Sequence, residues 1–117
     1  MPKTLTIFLT TSPYSSENTA TALKLASTAL DSGAEVNLFA SGDGVHNFSR
    51  GQRASGLPDP ERGFQELMRR GLHVELCGSC LRLRGIEETN ILDGADPSSM
   101  KRLFEMIGRS DAFITLG

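Results

Sequence analysis

TLTIFLTTSPYSSENTATALKLASTALDSGAEVNLFA, running from Thr4 to Ala40, decides the fold. Thr4 to Thr10 is a short, β-rich apolar run and reads as a buried strand. Thr11 to Ser16 is a polar loop that includes Tyr14, and Ser15 or Ser16 is placed to cap a helix with Glu17 in its first turn. Ala22, Leu23, Ala26, Ala29 and Leu30 recur at helical spacing, and Gly33 is a good stop. Ala34 to Ala40 sets Val36, Leu38 and Ala40 on one face of a second strand. Strand, helix and strand with short links form a βαβ unit, so the two strands are expected parallel with a right-handed crossover.

The pattern continues downstream. Ser41 to Phe48 starts as a turn with one helical turn near Val45, and Ser49 to Pro60 is the least regular part, expected as an exposed, mobile loop. Asp59 caps the next helix with Pro60 at its first position. Phe64, Leu67 and Met68 make that helix's apolar stripe, and Gly71 ends it. Leu72 to Leu76 reads as the third strand, with Cys77 the first residue after it. A helix from Gly78 to Arg84 ends at Gly85. Ile86 to Leu92 is a short fourth strand or a loop. Asp96 with Pro97 opens a last helix, with the stripe Met100, Leu103, Phe104 and Ile107 and a stop at Gly108. Asp111 to Leu116 closes the chain as a strand. Alternating strands and helices predict a three-layer α/β/α sandwich on a mostly parallel sheet.

The bulk numbers bound the function. A chain of 117 residues suits one domain. A net charge of -2 argues against a direct nucleic-acid partner. No apolar run reaches the roughly 18 residues of a membrane span, and no signal peptide is legible, so a cytoplasmic protein is expected. Gly42-Asp43-Gly44 lacks a full GxGxxG, and no Walker lysine pattern occurs, so no nucleotide cofactor is called for.

In open α/β sheets, reactive residues collect beyond the carboxyl ends of the strands. Three loops qualify here, and they carry Tyr14, Asp43, His46 and Cys77. Cys77 would lie at the start of a helix, where the partial positive charge favours a thiolate, and Arg82 is a candidate electrostatic helper. Cys80 lies one turn further along. The pair reads in several ways. Zinc needs about four ligands and finds only two Cys and two His here. A dithiol redox pair, a single nucleophile at Cys77 with Cys80 as accessory, and two small buried hydrophobes all stay open. His46 is a base or a solvated loop histidine, and Asp43 more simply makes its turn. Tyr14 covers the site or packs at an oligomer contact.

Nearly the whole chain resembles the DsrE/DsrF-like family, which includes the TusD-type sulfur-relay subunits. The resemblance is carried by the loop with Tyr14, the Ala-rich helix ending at Gly33, and Asp43-Gly44-Val45 followed by Asn47. Its most specific part is Cys77-Gly78-Ser79-Cys80 with Arg84-Gly85-Ile86. In many members a second cysteine accompanies the first, although TusD-type chains lack it. The resemblance implies a five-stranded parallel sheet in an α/β/α fold, assembled as trimers or hexamers of one or more chain types. It implies that Cys77 accepts sulfur from a persulfide donor protein and passes it to an acceptor, in tRNA thiolation or sulfur oxidation, without cofactor or direct tRNA contact. Two other readings stand beside it: a non-catalytic oligomeric small-ligand-binding protein, and a CxxC thiol-disulfide oxidoreductase.

Overall fold

The computed structural model describes residues 2–54 and 59–117. Five strands form one parallel sheet in the order β4-β3-β2-β1-β5. They are β1 (Thr4–Leu9), β2 (Glu35–Ala40), β3 (His73–Cys77), β4 (Ala95–Ser98) and β5 (Ala112–Leu116). The helices are α1 (Asn18–Asp31), α2 (Pro60–Arg69), α3 (Gly78–Leu83) and α4 (Met100–Arg109). The expected βαβ unit is present, with β1 and β2 paired in parallel from Thr4 opposite Glu35 to Leu9 opposite Ala40.

Alternation along each strand sorts the side chains into two layers. Ile7, Leu9, Val36, Leu38, Val74 and Leu76 turn to one face and pack with Ala22 and Ala26 of α1 and Phe64 and Leu67 of α2. Phe39 and Cys77 turn to the other face, under Leu103 and Met106 of α4. The chain moves across the sheet in one direction from β1 to β4, then returns past it to β5. Right-handed crossovers therefore put α4 on the opposite side from α1 and α2.

Several boundaries differ from the sequence expectation. Glu17 occupies the cap position of α1 instead of its first turn, and Ser16 Oγ accepts the Asn18 N–H at 3.2 Å. At α2 the expected cap holds: Asp59 accepts the Arg62 N–H and Pro60 is the first helical residue. Gly56 and Pro58 of the expected mobile loop lie outside the described residues. Cys77 is the last residue of β3 and also the cap of α3.

The larger correction concerns the fourth strand. Ile86 to Leu92 holds a 3-10 turn at Glu88–Asn90 and a single antiparallel bridge from Ile91 to Ser49. The strand itself is Ala95–Ser98, so Asp96 and Pro97 sit in a strand and α4 starts at Met100 behind Ser99. An edge strand tolerates proline because only one of its sides is paired. The apolar stripe of α4 is also partly turned: Leu103 is buried and Ile107 packs against the same cluster as expected, Met106 joins them, and Met100 is 43% and Phe104 67% exposed. Gly108 does not stop the helix, which runs on to Arg109.

A 3-10 helix, Gly42–Phe48, replaces the single helical turn expected after β2. It lies so close to the end of β1 that a Cβ on Gly44 would stand 2.2 Å from the Leu9 carbonyl oxygen and 2.8 Å from its carbon. Backbone cannot yield as a flexible side chain does. Gly44→Ala should therefore lose about 1–3 kcal/mol in urea unfolding through overpacking. Stability equal to wild type would show that this close approach does not constrain the fold.

Candidate functional site

The rim above the sheet is held together by one buried amide. Asn47, fully buried in the 3-10 helix, donates from Nδ2 to Thr11 O at 3.0 Å and to Gly44 O at 2.8 Å. Its Oδ1 accepts the Thr19 hydroxyl at 2.6 Å. The loop after β1, the turn after β2 and the first turns of α1 are thereby joined. This fixes Ser41 and Gly42 opposite α3.

Two free thiols lie at the junction of β3 and α3, and one of them, Cys80, faces that turn. Cys77 ends β3 and is 6% exposed, packed with Phe39, Leu103 and Met106. Cys80, half-buried on α3, packs against both apolar layers. Its Sγ accepts the Gly42 N–H at 3.1 Å and lies 3.5 Å from Ser41 Oγ. Burial alone would raise the Cys80 thiol pKa. Hydrogen bonds from the Cys77 side chain, the Ser41 hydroxyl and the Gly42 N–H, with the charge of Arg84, outweigh it and hold the pKa below its ordinary value.

The arginines divide differently from the sequence expectation. Arg82 donates to Ser79 Oγ at 3.1 Å instead of serving the thiols. Arg84 reaches back, donating to Cys80 O at 3.2 Å and to Asp43 Oδ1 at 2.9 Å. Asp43 thus anchors the arginine beside Cys80 from an exposed turn. His46 is half-buried in the same 3-10 helix, and among the described residues its ring has no hydrogen-bond partner. Tyr14 stands apart. It adopts a left-handed backbone (φ 73°), its hydroxyl donates to Gln52 Oε1 at 2.9 Å, and it lines an open cavity of about 440 Å³ with Thr19, Lys24 and Pro60. Neither cysteine lines that cavity.

A polar cluster that the sequence reading passed over lies beside Cys77, on its face of the sheet. Glu75 is 5% exposed. Its carboxylate accepts Arg102 Nε at 3.3 Å and Nη2 at 2.9 Å, the Ser98 hydroxyl, and a 2.6 Å contact with His73 Nε2. Desolvation pushes the Glu75 pKa up. The bonds from Arg102, Ser98 and His73 and the Arg102 charge overcome it, lowering the pKa to about 2. A glutamate at an inward position of a central strand is the signal that marks such a cluster, because a buried carboxylate requires partners.

A sequence profile described as the DsrE/DsrF-like family matches residues 3–116. An uncharacterized protein of Methanocaldococcus jannaschii is 33% identical over 110 residues, covering 94% of this chain and 96% of that one. One from Methanopyrus kandleri is 32% identical over 110 residues, covering 94% and 91%. Among solved structures, the ychN protein of E. coli superposes with a TM-score of 0.90 at 25% identity, covering 99% of this chain and all of that one. A Methanobacterium thermoautotrophicum protein with a TM-score of 0.74 and 18% identity shares the fold.

Two outcomes follow from this site. Asn47→Ala strands the Thr19 hydroxyl and two carbonyls, and should cost about 1–3 kcal/mol in chemical denaturation; unchanged stability would remove Asn47 from this role. Glu75, lowered from 4.5 to about 2, adds stability above pH 4.5 that is lost as pH falls toward 2. Glu75→Gln should flatten that acid limb, which spans on the order of 2–3 kcal/mol in wild type. An identical acid limb in the variant would refute the assignment.

Proposed function

The chain belongs to the DsrE/DsrF-like family, and from that premise we propose that it is a sulfur carrier of the sulfurtransferase type. Cys77 takes sulfane sulfur from the persulfide of a donor protein and hands it to an acceptor. The observation that supports this reading is the free Cys77 at the carboxyl end of a central strand, with a second free thiol, Cys80, on the helix that follows and held there by backbone and hydroxyl donors. A thiolate is the nucleophile that such a transfer needs. The step is an exchange: the Cys77 sulfur attacks the outer sulfur of the donor persulfide, and the donor cysteine leaves as a thiolate.

The reading places the protein in a sulfur relay inside the cell, serving tRNA thiolation or sulfur oxidation, with the tRNA held by a partner. Among the described residues no helix is long and apolar enough to cross a membrane. The proposed working form is a trimer or hexamer. Met100 and Phe104 of α4 and Phe113 of β5, all at least 40% exposed, are apolar surface suited to burial between copies.

Single-thiol variants test the carrier. After incubation with a persulfide donor, Cys80→Ser should gain one sulfur atom by intact mass. Cys77→Ser should gain it at least about tenfold more slowly. No gain on Cys80→Ser, or equal gain on Cys77→Ser, overturns the proposal.

A further inference from the structure

The two cysteines have different surroundings, and the difference assigns the second one a task. Cys77 is 6% exposed and packs with Phe39, Leu103 and Met106. Cys80 is the more open of the two. Its sulfur is a hydrogen-bond acceptor for a backbone N–H at 3.1 Å and neighbours a serine hydroxyl at 3.5 Å. These donors belong to Ser41 and Gly42, in a turn that Gly44 and Asn47 lock onto β1. The Asp43–Arg84 pair closes over the same spot, with Arg84 also bonded to the Cys80 carbonyl. Cys80 also packs against the apolar cluster that holds Cys77, three residues before it on the same strand-to-helix junction.

We infer that Cys80 is a resolving thiol, which attacks a persulfide carried on Cys77 and releases its sulfur as hydrosulfide. The inference rests on the carrier reading of Cys77. The Cys80 thiolate attacks Cys77 Sγ, and a Cys77–Cys80 disulfide forms. The bond from Cys77 Sγ to the outer sulfur breaks, and that sulfur leaves with the electron pair and its own proton as HS⁻. The sulfane sulfur gains two electrons and the two cysteine sulfurs lose them. A cellular dithiol reductant then reopens the disulfide, itself becoming oxidised. Hydrosulfide is then the form in which the sulfur reaches the acceptor.

The surroundings of Cys80 favour this order. A thiolate held by a fixed N–H and a hydroxyl is ready without a separate base, and the lowered pKa of Cys80 agrees with that geometry. The attack needs no movement of a strand, because the two residues lie one helical turn apart across the β3–α3 junction.

The test uses the full chain, loaded with a small persulfide donor and desalted without reductant. Wild type should release one equivalent of hydrosulfide and become two hydrogens lighter than the reduced protein, a change that dithiothreitol reverses. Cys80→Ser, and Cys80→Ala as a second variant, should keep the extra sulfur on Cys77 and release hydrosulfide at least about tenfold more slowly. Wild type that retains its sulfur as long as the variants, or that carries it on Cys80 without disulfide, overturns the resolving role while leaving a carrier in place. Failure of both Cys80 variants to take sulfur on Cys77 defeats the carrier reading, and the resolving role with it.

Discussion

The bonds of the Asn47 side chain are the constraint on which the rim depends. A fully buried amide must spend its donors and acceptor inside the protein, since water is not there to take them. Asn47 spends them on Thr11, Gly44 and Thr19, three separate pieces of chain. The turn after β2 therefore has one position relative to β1. Gly44 supplies the matching half, because only a residue without Cβ lets the turn settle against Leu9. The N–H of Gly42 is aimed at Cys80 as a consequence. Polarity around a thiol is here the product of a packing problem solved elsewhere.

Sheet layering then makes the two cysteines unequal. Cys77 inherits the orientation of an inward β3 residue and goes under α4, while Cys80 follows from the first turn of α3 and faces the rim. The spacing within CxxC is ordinary, and their burial and donors are what differ. Beside them, Glu75 with Arg102, Ser98 and His73 ties α4 to β3 and β4. The same rotation of α4 lets Arg102 reach Glu75 and presents Leu103 and Met106 to the sheet, leaving Met100 and Phe104 outside.

Much of this was readable from residue order. The βαβ unit, the cap at Asp59 with Pro60, the parallel α/β/α architecture and the placing of Asp43, His46 and Cys77 after strand ends, though not the nearness of Tyr14 to the thiols, all rest on local periodicity and turn chemistry. The failures share a cause. Asp96-Pro97 reads as a helix start because its local preferences do, yet β3 offers an unpaired edge and the chain takes it. The apolar residues of α4 are too many for one face, and only the packed sheet selects Leu103 and Met106 over Met100 and Phe104. Sequence distance also cannot tell which guanidinium folds back over the helix, and the structure shows that it is Arg84.

The sequence by itself determined most of the succession of strands and helices, a mostly parallel sheet, and which loops meet at its carboxyl edge. Those follow from periods of two and of about 3.6 residues and from glycine and proline, which act over a few neighbours. Only the tertiary structure decided that Cys80 is the polarised sulfur, that Cys77 is the covered one, and that Glu75 is a buried carboxylate with three partners. Each of these depends on groups far apart in the chain. Burial and hydrogen bonding of that kind exist only once the sheet has brought those groups together.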